Sequence, residues 1–367
     1  MRLKFAVVHG VLLIAVSAFA VCGYAKSPAK TGLISEDLIW TIEQTTVSAT
    51  ITLPDGRGPF PAVVFVAGSG PTDRDWNSKL IPGTNGSGRL LAEELSKNGF
   101  AVLRYDKRFT GPYAKGNLAL LTGKISLQSH IEELASAAAL LRTRSEVDPK
   151  QIFVLTNSEG AIHALNYQLQ RGPGFAGLVL TAAQGRRMKD ALHSQIEAQV
   201  AALPNAKEFM EHCDKLVENF LAERPFVPDP VLSPGVNYTV QSFYNPLSLP
   251  FTREILSVDP AVLLEEVSVP TLAIIGKKDI QFDWQVDGAA LEKAAHGNVV
   301  FAYPENANHV LKYESKPRSE LSAADGQDYN AADKVLDPET LNIILDWLKS
   351  HASPVAVGSE KKTGKAL

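Results

Sequence analysis

Six short apolar segments, separated by helical patterns and loops, most constrain the fold of this chain. They lie at residues 62–66, 101–104, 152–155, 178–181, 272–275 and 299–303. A continuous apolar run of this length is typical of a strand that is buried on both faces of a parallel sheet. Because such strands alternate with helices, the sequence predicts an α/β fold with a doubly wound, mostly parallel sheet.

Two further strands precede these segments, at residues 36–44 and 46–53. The second alternates apolar and polar side chains, which is typical of a half-buried strand. We therefore expect an antiparallel edge at the start of the sheet. Helical periodicity predicts the main helices at residues 88–97, 126–144, 159–170 and 336–351.

One interval interrupts this alternation of strands and helices. Between Gly185 and about Asp259 there is no buried-strand pattern, only helical pattern at 188–203 and 207–222 and then a Pro-rich stretch. The sequence thus predicts a helical cap at 186–255, inserted into a discontinuous core of 26–185 and 256–352. It also predicts an irregular loop at 313–330 and a disordered tail at 353–367.

The N-terminus has the pattern of a secretory signal. Arg2 and Lys4 precede an apolar run from residue 5 to 21, and small residues follow. We predict a signal peptide at 1–25, cleaved after Ala25 or after Ala20, and hence an exported, periplasmic or secreted protein. Two alternatives would attach the chain to a membrane: an uncleaved anchor, or lipidation of Cys22.

Charge and motif spacing exclude several function classes. The 367-residue chain carries a formal net charge of −4, with no cluster of basic residues, which argues against a nucleic-acid partner. The glycine-rich stretch at 83–89 lacks the Gly-Lys-Ser/Thr of a phosphate loop. Because no His, Cys and carboxylate cluster has the spacing of metal ligands, we expect no metal.

The segment 151–162, QIFVLTNSEGAI, contains a candidate nucleophile. A buried strand ends abruptly at Ser158, Gly160 follows two residues later, and a helical pattern begins. A strand-to-helix turn of this kind exposes a serine hydroxyl above the edge of a sheet.

A reactive serine needs a base, and the base needs an acid that orients it. Asp279 follows the apolar segment 272–275, and His309 follows 299–303. The other seven histidines lie in the N-terminal segment or in predicted helices. The order Ser, Asp, His, with each residue after its own strand, predicts a triad of Ser158, Asp279 and His309.

The reaction also needs two backbone N–H groups that bind the oxyanion. One is the amide of Glu159, directly after the nucleophile. The other is in the loop after the segment 62–66, where Ser69 between two glycines is the candidate donor. Asp106 and Arg108, at the end of the segment 101–104, are interpreted as members of scaffold ion pairs.

Several motifs together resemble one known family. They are GSGPTDRD at 68–75, LRYDKRF at 103–109, TNSEG at 156–160, GKKDIQF at 276–282 and NANH at 306–309. In combination, over about 44–350, the chain resembles the α/β-hydrolase superfamily, and within it the exported bacterial serine esterases and dipeptidyl-peptidase-like hydrolases. It departs from the family pattern at Phe109, which replaces a glycine, and at Thr156 and Asn157, which replace Gly-His.

The resemblance implies hydrolysis of small carboxylic esters through an acyl-enzyme on Ser158, without a cofactor. The partner would be a small-molecule ester or acyl substrate, but the sequence identifies no substrate-binding residues. Two other functions remain open. The chain could be an aminopeptidase or amidase of the same chemistry, or a catalytically silent hydrolase-like binding protein.

Overall fold

A single eight-stranded sheet forms the centre of the molecule. The computed structural model describes residues 33–171 and 174–353. The strands, numbered along the chain, are β1 (Ile34–Ile42), β2 (Thr45–Leu53), β3 (Phe60–Val66), β4 (Ala101–Tyr105), β5 (Val147–Asn157), β6 (Gly177–Thr181), β7 (Thr271–Ile274) and β8 (Val299–Ala302). Across the sheet their order is β1-β2-β4-β3-β5-β6-β7-β8. β3 to β8 are parallel, whereas β1 and β2 form the predicted antiparallel edge.

Helices cover both faces of the sheet. Those of the core are α1 (Ser87–Lys97), α2 (Ala114–Leu121), α3 (Leu127–Thr143), α4 (Gly160–Arg171), α9 (Pro260–Glu265), α10 (Val286–Ala294) and α11 (Pro338–His351). Apolar side chains of α3, α4, α9 and α10 pack on one face. Those of α1 and α11 pack on the other. The predicted doubly wound architecture is thus confirmed.

Four helices lie between β6 and α9, and they have an apolar cluster of their own. They are α5 (Met188–Val200), α6 (Ala206–Leu221), α7 (Pro234–Phe243) and α8 (Leu249–Ser257). The Pro-rich stretch, in which the sequence predicted no helix, contains α7 and α8. Pro234 and Pro250 occupy the first turns of these helices, where the missing N–H removes no helical hydrogen bond.

The prediction of a buried strand at 299–303 was wrong in one respect. Among the described residues, β8 is an edge strand of the sheet and pairs only with β7. Its residues are half-buried, and Val300 is 53% exposed. An apolar run alone does not distinguish a central strand from an edge strand that is covered on one side. The loop predicted at 313–330 contains two short 3₁₀ turns, Arg318–Glu320 and Ala323–Asp328.

The predicted signal peptide and the predicted tail after Ser353 lie outside the described residues. Within 33–171 and 174–353, no helix combines the length and the apolar character that a membrane span requires.

Candidate active site

The turn between β5 and α4 holds Ser158 in an unusual backbone conformation. Its φ angle is +55°, a left-handed conformation that non-glycine residues seldom adopt. The Ser158 amide donates a 2.9 Å hydrogen bond to the Thr181 carbonyl at the end of β6. On the other side, a Cβ on Gly160 would lie 2.6 Å from the Val66 carbonyl oxygen of β3. The turn is therefore fixed by both neighbouring strands, and only glycine fits two residues after the serine.

The two residues before Ser158 anchor the turn in different ways. Thr156 is fully buried, and its carbonyl accepts a 2.6 Å hydrogen bond from the Thr181 hydroxyl. The side-chain amide of Asn157 donates a 3.0 Å hydrogen bond to the backbone carbonyl of His309. Asn157 thus ties the serine turn directly to the loop of the predicted base.

Asp279 and His309 form a buried pair beyond the carboxyl ends of β7 and β8. His309 Nδ1 lies 2.8 Å from Asp279 Oδ2, and both residues are at most 5% exposed. The other carboxylate oxygen, Oδ1, accepts backbone N–H groups from Gln281 at 2.7 Å and Phe282 at 3.0 Å. Because the carboxylate only accepts, it fixes the tautomer with the proton on Nδ1 and leaves Nε2 as a potential base.

The loop after β3 lies directly against the serine. A Cβ on Gly68 would be 3.1 Å from the Ser158 Cβ, so glycine permits this close approach. Among hydrogen bonds between described residues, the amides of Ser69 and Glu159 donate none. Neither predicted oxyanion donor is therefore occupied by a hydrogen bond to another described residue.

The motif at 68–75, which follows β3, binds the motif at 103–109, which includes the end of β4. Arg104, from the end of β4, forms an ion pair with Asp75. Arg74 binds Asp106 through its backbone amide at 2.8 Å and through Nε and Nη2 at 2.9 and 2.7 Å. Asp106 therefore lies in a scaffold ion pair, in agreement with its interpretation from sequence. These contacts fix the loop at 68–75 to the end of β4.

Lys107, between Asp106 and Arg108, makes a third contact with this loop. Its Nζ donates hydrogen bonds to the carbonyl of Gly68 at 2.5 Å and to that of Gly70 at 2.7 Å. Its side chain is buried, and the ammonium lies 5.2 Å from the centre of the Phe109 ring. Phe109 stands where the family has a glycine, and the structure gives it this contact with the ammonium.

The side chain of Glu159 points into a buried polar layer beneath its own amide. Its carboxylate lies 3.2 Å from His163 Nε2. Burial opposes ionisation of Glu159, but the His163 hydrogen bond and the Lys107 charge outweigh it and lower the pKa to about 2. Burial and the nearby His130 lower the pKa of His163 to about 4. At neutral pH a neutral imidazole therefore donates to the Glu159 carboxylate.

The same layer continues to the second predicted scaffold residue. Arg108 donates from its backbone amide at 3.0 Å and from Nε at 3.1 Å to Glu133. Glu133 also lies 3.0 Å from His130 Nδ1, and the His130 ring stacks on His163 at 4.5 Å. Arg108 is thus in the ion pair that its sequence context suggested. Glu133 is linked to α4, the helix that begins after Ser158, through His130 and its stacking on His163.

The sequence prediction assigned no role to Lys107, Asn157 or Glu133. A weak signal exists for Lys107, since three consecutive charged residues at 106–108 follow a buried strand, where charge is costly unless paired. Asn157 contacts a residue 152 positions away, and nothing local indicates such a contact.

We compared the chain with models of known protein families and with curated proteins. No model of a known protein family matches the chain. It is 29% identical over 264 residues to esterase EstD of Thermotoga maritima. That alignment covers 71% of this chain but only 57% of the esterase, so the chain spans little more than half the length of this curated relative.

Two solved structures have the same architecture. The hypothetical protein PA2218 from Pseudomonas aeruginosa matches with a TM-score of 0.54 and 16% identity, over 89% of this chain and 96% of that one. The alpha/beta hydrolase GrgF from Penicillium sp. sh18 matches with a TM-score of 0.53 and 16% identity, over 87% and 99%. At such identities the likeness concerns the fold alone, and it confirms the predicted fold class.

Proposed function

We propose that this chain, which has the fold of α/β hydrolases, is a serine hydrolase that cleaves small carboxylic esters through an acyl-enzyme on Ser158. The observation that carries the proposal is the buried Asp279–His309 pair, joined at 2.8 Å and tied to the serine turn through Asn157. The 29% identity to an esterase supports the choice of ester over other acyl substrates.

In the proposed acylation step the Ser158 hydroxyl attacks the ester carbonyl. His309 Nε2 takes the hydroxyl proton as the Ser158 Oγ–carbon bond forms, and Asp279 stabilises the resulting imidazolium. The negative oxygen is bound by the amides of Ser69 and Glu159. The carbon–oxygen bond to the alcohol then breaks, and His309 returns the proton to the leaving alkoxide.

In the proposed deacylation step water takes the place of the alcohol. His309 removes a proton from the water, whose oxygen attacks the acyl carbon of the acyl-enzyme. The same two amides bind the second oxyanion. The bond to Ser158 Oγ then breaks, the serine recovers its proton from His309, and a carboxylic acid leaves.

Turnover of p-nitrophenyl acetate and butyrate tests this proposal. The Ser158→Ala variant should lose activity by at least about 10⁴-fold, because it lacks the hydroxyl that forms the acyl-enzyme. Ser145→Ala is the matched control, since Ser145 is exposed and lies before the opposite end of β5. A Ser158→Ala protein that still turns over both esters would contradict the mechanism.

Two further assays separate this function from its alternatives. Faster cleavage of aminoacyl-anilides than of esters would favour an aminopeptidase or amidase. A wild-type protein that is not labelled by a fluorophosphonate would favour a silent binding protein, because only an activated serine reacts readily with this reagent.

We also propose that the protein is exported, on the basis of the sequence of residues 1–25. Expression of the full chain, followed by cell fractionation and N-terminal sequencing, tests this. A protein that keeps its first 25 residues and stays in the cytoplasm would contradict export.

A further inference from the structure

Lys107 lies behind the predicted oxyanion hole and does not belong to the Ser-His-Asp chemistry. It is only 3% exposed, yet its ammonium group is bonded to the backbone carbonyls of Gly68 and Gly70. Burying a cation is costly even when it is hydrogen-bonded, and an apolar residue of similar length would fill the same space at less cost. Packing alone therefore does not explain a lysine at this position.

The geometry of the peptide bond links Lys107 to the Ser69 amide. Gly68 C=O and Ser69 N–H belong to one trans peptide plane, in which the two groups point in opposite directions. Because the carbonyl of Gly68 faces Lys107, the N–H of Ser69 faces away from it. The second bond is made to the peptide of Gly70 and Pro71, which has no N–H. Lys107 thus orients the loop without occupying a potential oxyanion donor.

The charge of Lys107 also acts on the side chain of Glu159, whose amide is the second predicted donor. Burial lowers the pKa of Lys107, and attraction to the carboxylates of Glu159 and Glu133 opposes this effect. The same Lys107 charge helps to keep Glu159 ionised. The ammonium therefore binds the Gly68–Ser69 peptide directly, and its charge stabilises the ionised carboxylate of Glu159, the residue that supplies the other amide.

We propose that Lys107 is a positioning residue of the oxyanion hole, which holds the Gly68–Ser69 peptide so that the Ser69 amide can bind the oxygen of the tetrahedral intermediate. This inference rests on the proposed ester hydrolysis. It assigns to the lysine of the LRYDKRF motif a role in the transition state rather than in substrate binding.

Lys107→Met is the first test, since methionine has a similar length and no charge. Loss of one oxyanion donor typically lowers kcat by about 10²–10³-fold, and we expect a loss in this range with KM changed less than about 3-fold. Rates are normalised to active sites titrated with a fluorophosphonate, so that a merely unfolded fraction does not count. Lys107→Arg, which keeps the charge and several donors, should recover at least about 10-fold.

A transition-state analogue provides a readout that a structural role would not change. An alkylboronic acid forms a tetrahedral adduct with Ser158 and places an oxygen in the oxyanion hole. Its affinity should fall in Lys107→Met in proportion to kcat/KM, as expected for a group that acts only in the transition state. If the methionine variant does not fold, the same comparison is made with Lys107→Arg and Lys107→Gln.

Lys312 offers a matched control. It is also buried, and its Nζ also binds two backbone carbonyls, those of Asn85 and Tyr329. Lys312→Met should lower stability but keep the rate per titrated site within about 3-fold of wild type. Boronate affinity should be unchanged in this variant.

The possible outcomes separate the two proposals. If the wild type hydrolyses esters and Lys107→Met matches it in rate per site and in boronate affinity, the role of Lys107 is wrong and the esterase function stands. If Lys312→Met loses as much as Lys107→Met, the effect is structural and the inference is again wrong. If the wild type neither hydrolyses esters nor reacts with the fluorophosphonate, the proposed function fails and this inference fails with it.

Discussion

The side-chain amide of Asn157 donates a 3.0 Å hydrogen bond to the backbone carbonyl of His309 and so joins the residue before the predicted nucleophile to the predicted base. Both residues are buried, and the bond spans 152 positions of sequence. A buried hydrogen bond of this kind restrains the relative position of two loops that leave different strands. The distance between serine and histidine therefore depends on a side chain that takes no part in the chemistry.

Replacing Asn157 should affect activity and stability together. We expect Asn157→Ala to lower kcat by about 10-fold and the free energy of unfolding by about 1–2 kcal/mol, because the His309 carbonyl loses its donor. Asn157→Asp should be worse, since a carboxylate oxygen would face that carbonyl. Ester turnover and urea denaturation measure the two effects.

The control for this prediction is Asn166→Asp. Asn166 also donates from Nδ2 to a backbone carbonyl, that of Ile162, but within α4. This variant should keep the wild-type kcat. Unchanged activity in both Asn157 variants would contradict the role of the Asn157 hydrogen bond.

Asp279→Asn should disturb the orientation of His309 while leaving the fold intact. Asparagine can still accept the backbone N–H groups of Gln281 and Phe282 through its oxygen, but its amide favours the wrong tautomer of His309. We expect kcat to fall by about 10³–10⁴-fold with little loss of stability. Asp283→Asn is matched to it, because Asp283 also accepts two backbone N–H groups, and it should stay active. Comparable losses in the two variants would argue against an orienting role for Asp279.

Substitutions of Thr156 test whether threonine is better suited than the glycine of the family pattern to this position before the serine turn. Thr156→Gly restores the glycine of the family pattern but leaves a cavity and a more flexible unfolded chain, so we expect a loss of about 1–3 kcal/mol in stability. Thr156→Val keeps the shape and removes a hydroxyl whose bond to the Val179 carbonyl is long, at 3.4 Å. It should cost less than about 1 kcal/mol. Both variants should keep kcat within about 3-fold, and a more stable glycine variant would show that Thr156 strains the turn.

Asp73 should make stability decrease with pH. Burial, followed by the charge of Asp75, raises its pKa from 3.8 to about 6. A group that binds its proton more tightly in the folded state destabilises that state as the proton is lost. The contribution of Asp73 to the free energy of unfolding should therefore fall between about pH 4 and pH 6 and stay lower above pH 6. The lowered pKa of His163 acts in the opposite direction over the same range, so the effect of Asp73 is measured as the difference between wild type and an Asp73 variant.

Asp73→Asn removes this titration. Asparagine can accept the same backbone N–H groups from Asp75 and Asn77, so we expect the variant to match wild type near pH 4 and to exceed it by about 1–2 kcal/mol at pH 8. Thermal denaturation at the two pH values measures this. Asp148→Asn is the control: the pKa of Asp148 is lowered, chiefly by its hydrogen bond from Gln151, and the variant should gain nothing at pH 8. Equal stability of Asp73→Asn and wild type at pH 8 would contradict a raised pKa.

The sequence was sufficient for the sheet because buried parallel strands leave a local signature. Continuous apolar runs indicated β3 to β7, and the alternating pattern of β2 indicated the antiparallel edge. The same signature wrongly indicated a fully buried strand at β8. An apolar run does not show whether a strand has neighbours on both sides, and among the described strands β8 has one only on one side. Helices α7 and α8 were missed because prolines that begin a helix resemble prolines that prevent one.

The residues of the candidate site likewise include some that the sequence could predict and some that it could not. Ser158, Asp279 and His309 could be proposed because each follows a strand, and the carboxyl ends of parallel strands lie at one edge. Lys107 and Asn157 act through contacts with backbone carbonyls far away in sequence. Such contacts depend on the path of two loops in space, and neither residue has a local pattern that predicts its partner.

The pairing of the loop at 68–75 with the end of β4 has a consequence for protein engineering. Arg74 forms an ion pair with Asp106, and Asp75 forms one with Arg104. Lys107 binds carbonyls of the same loop. Exchanging this loop for one that lacks Arg74 and Asp75 would leave Arg104 of β4 and the adjacent Asp106 without charged partners in the interior. The loop and the strand end are therefore one exchangeable unit, and a chimera that divides them should fail to fold before its catalysis can be assayed.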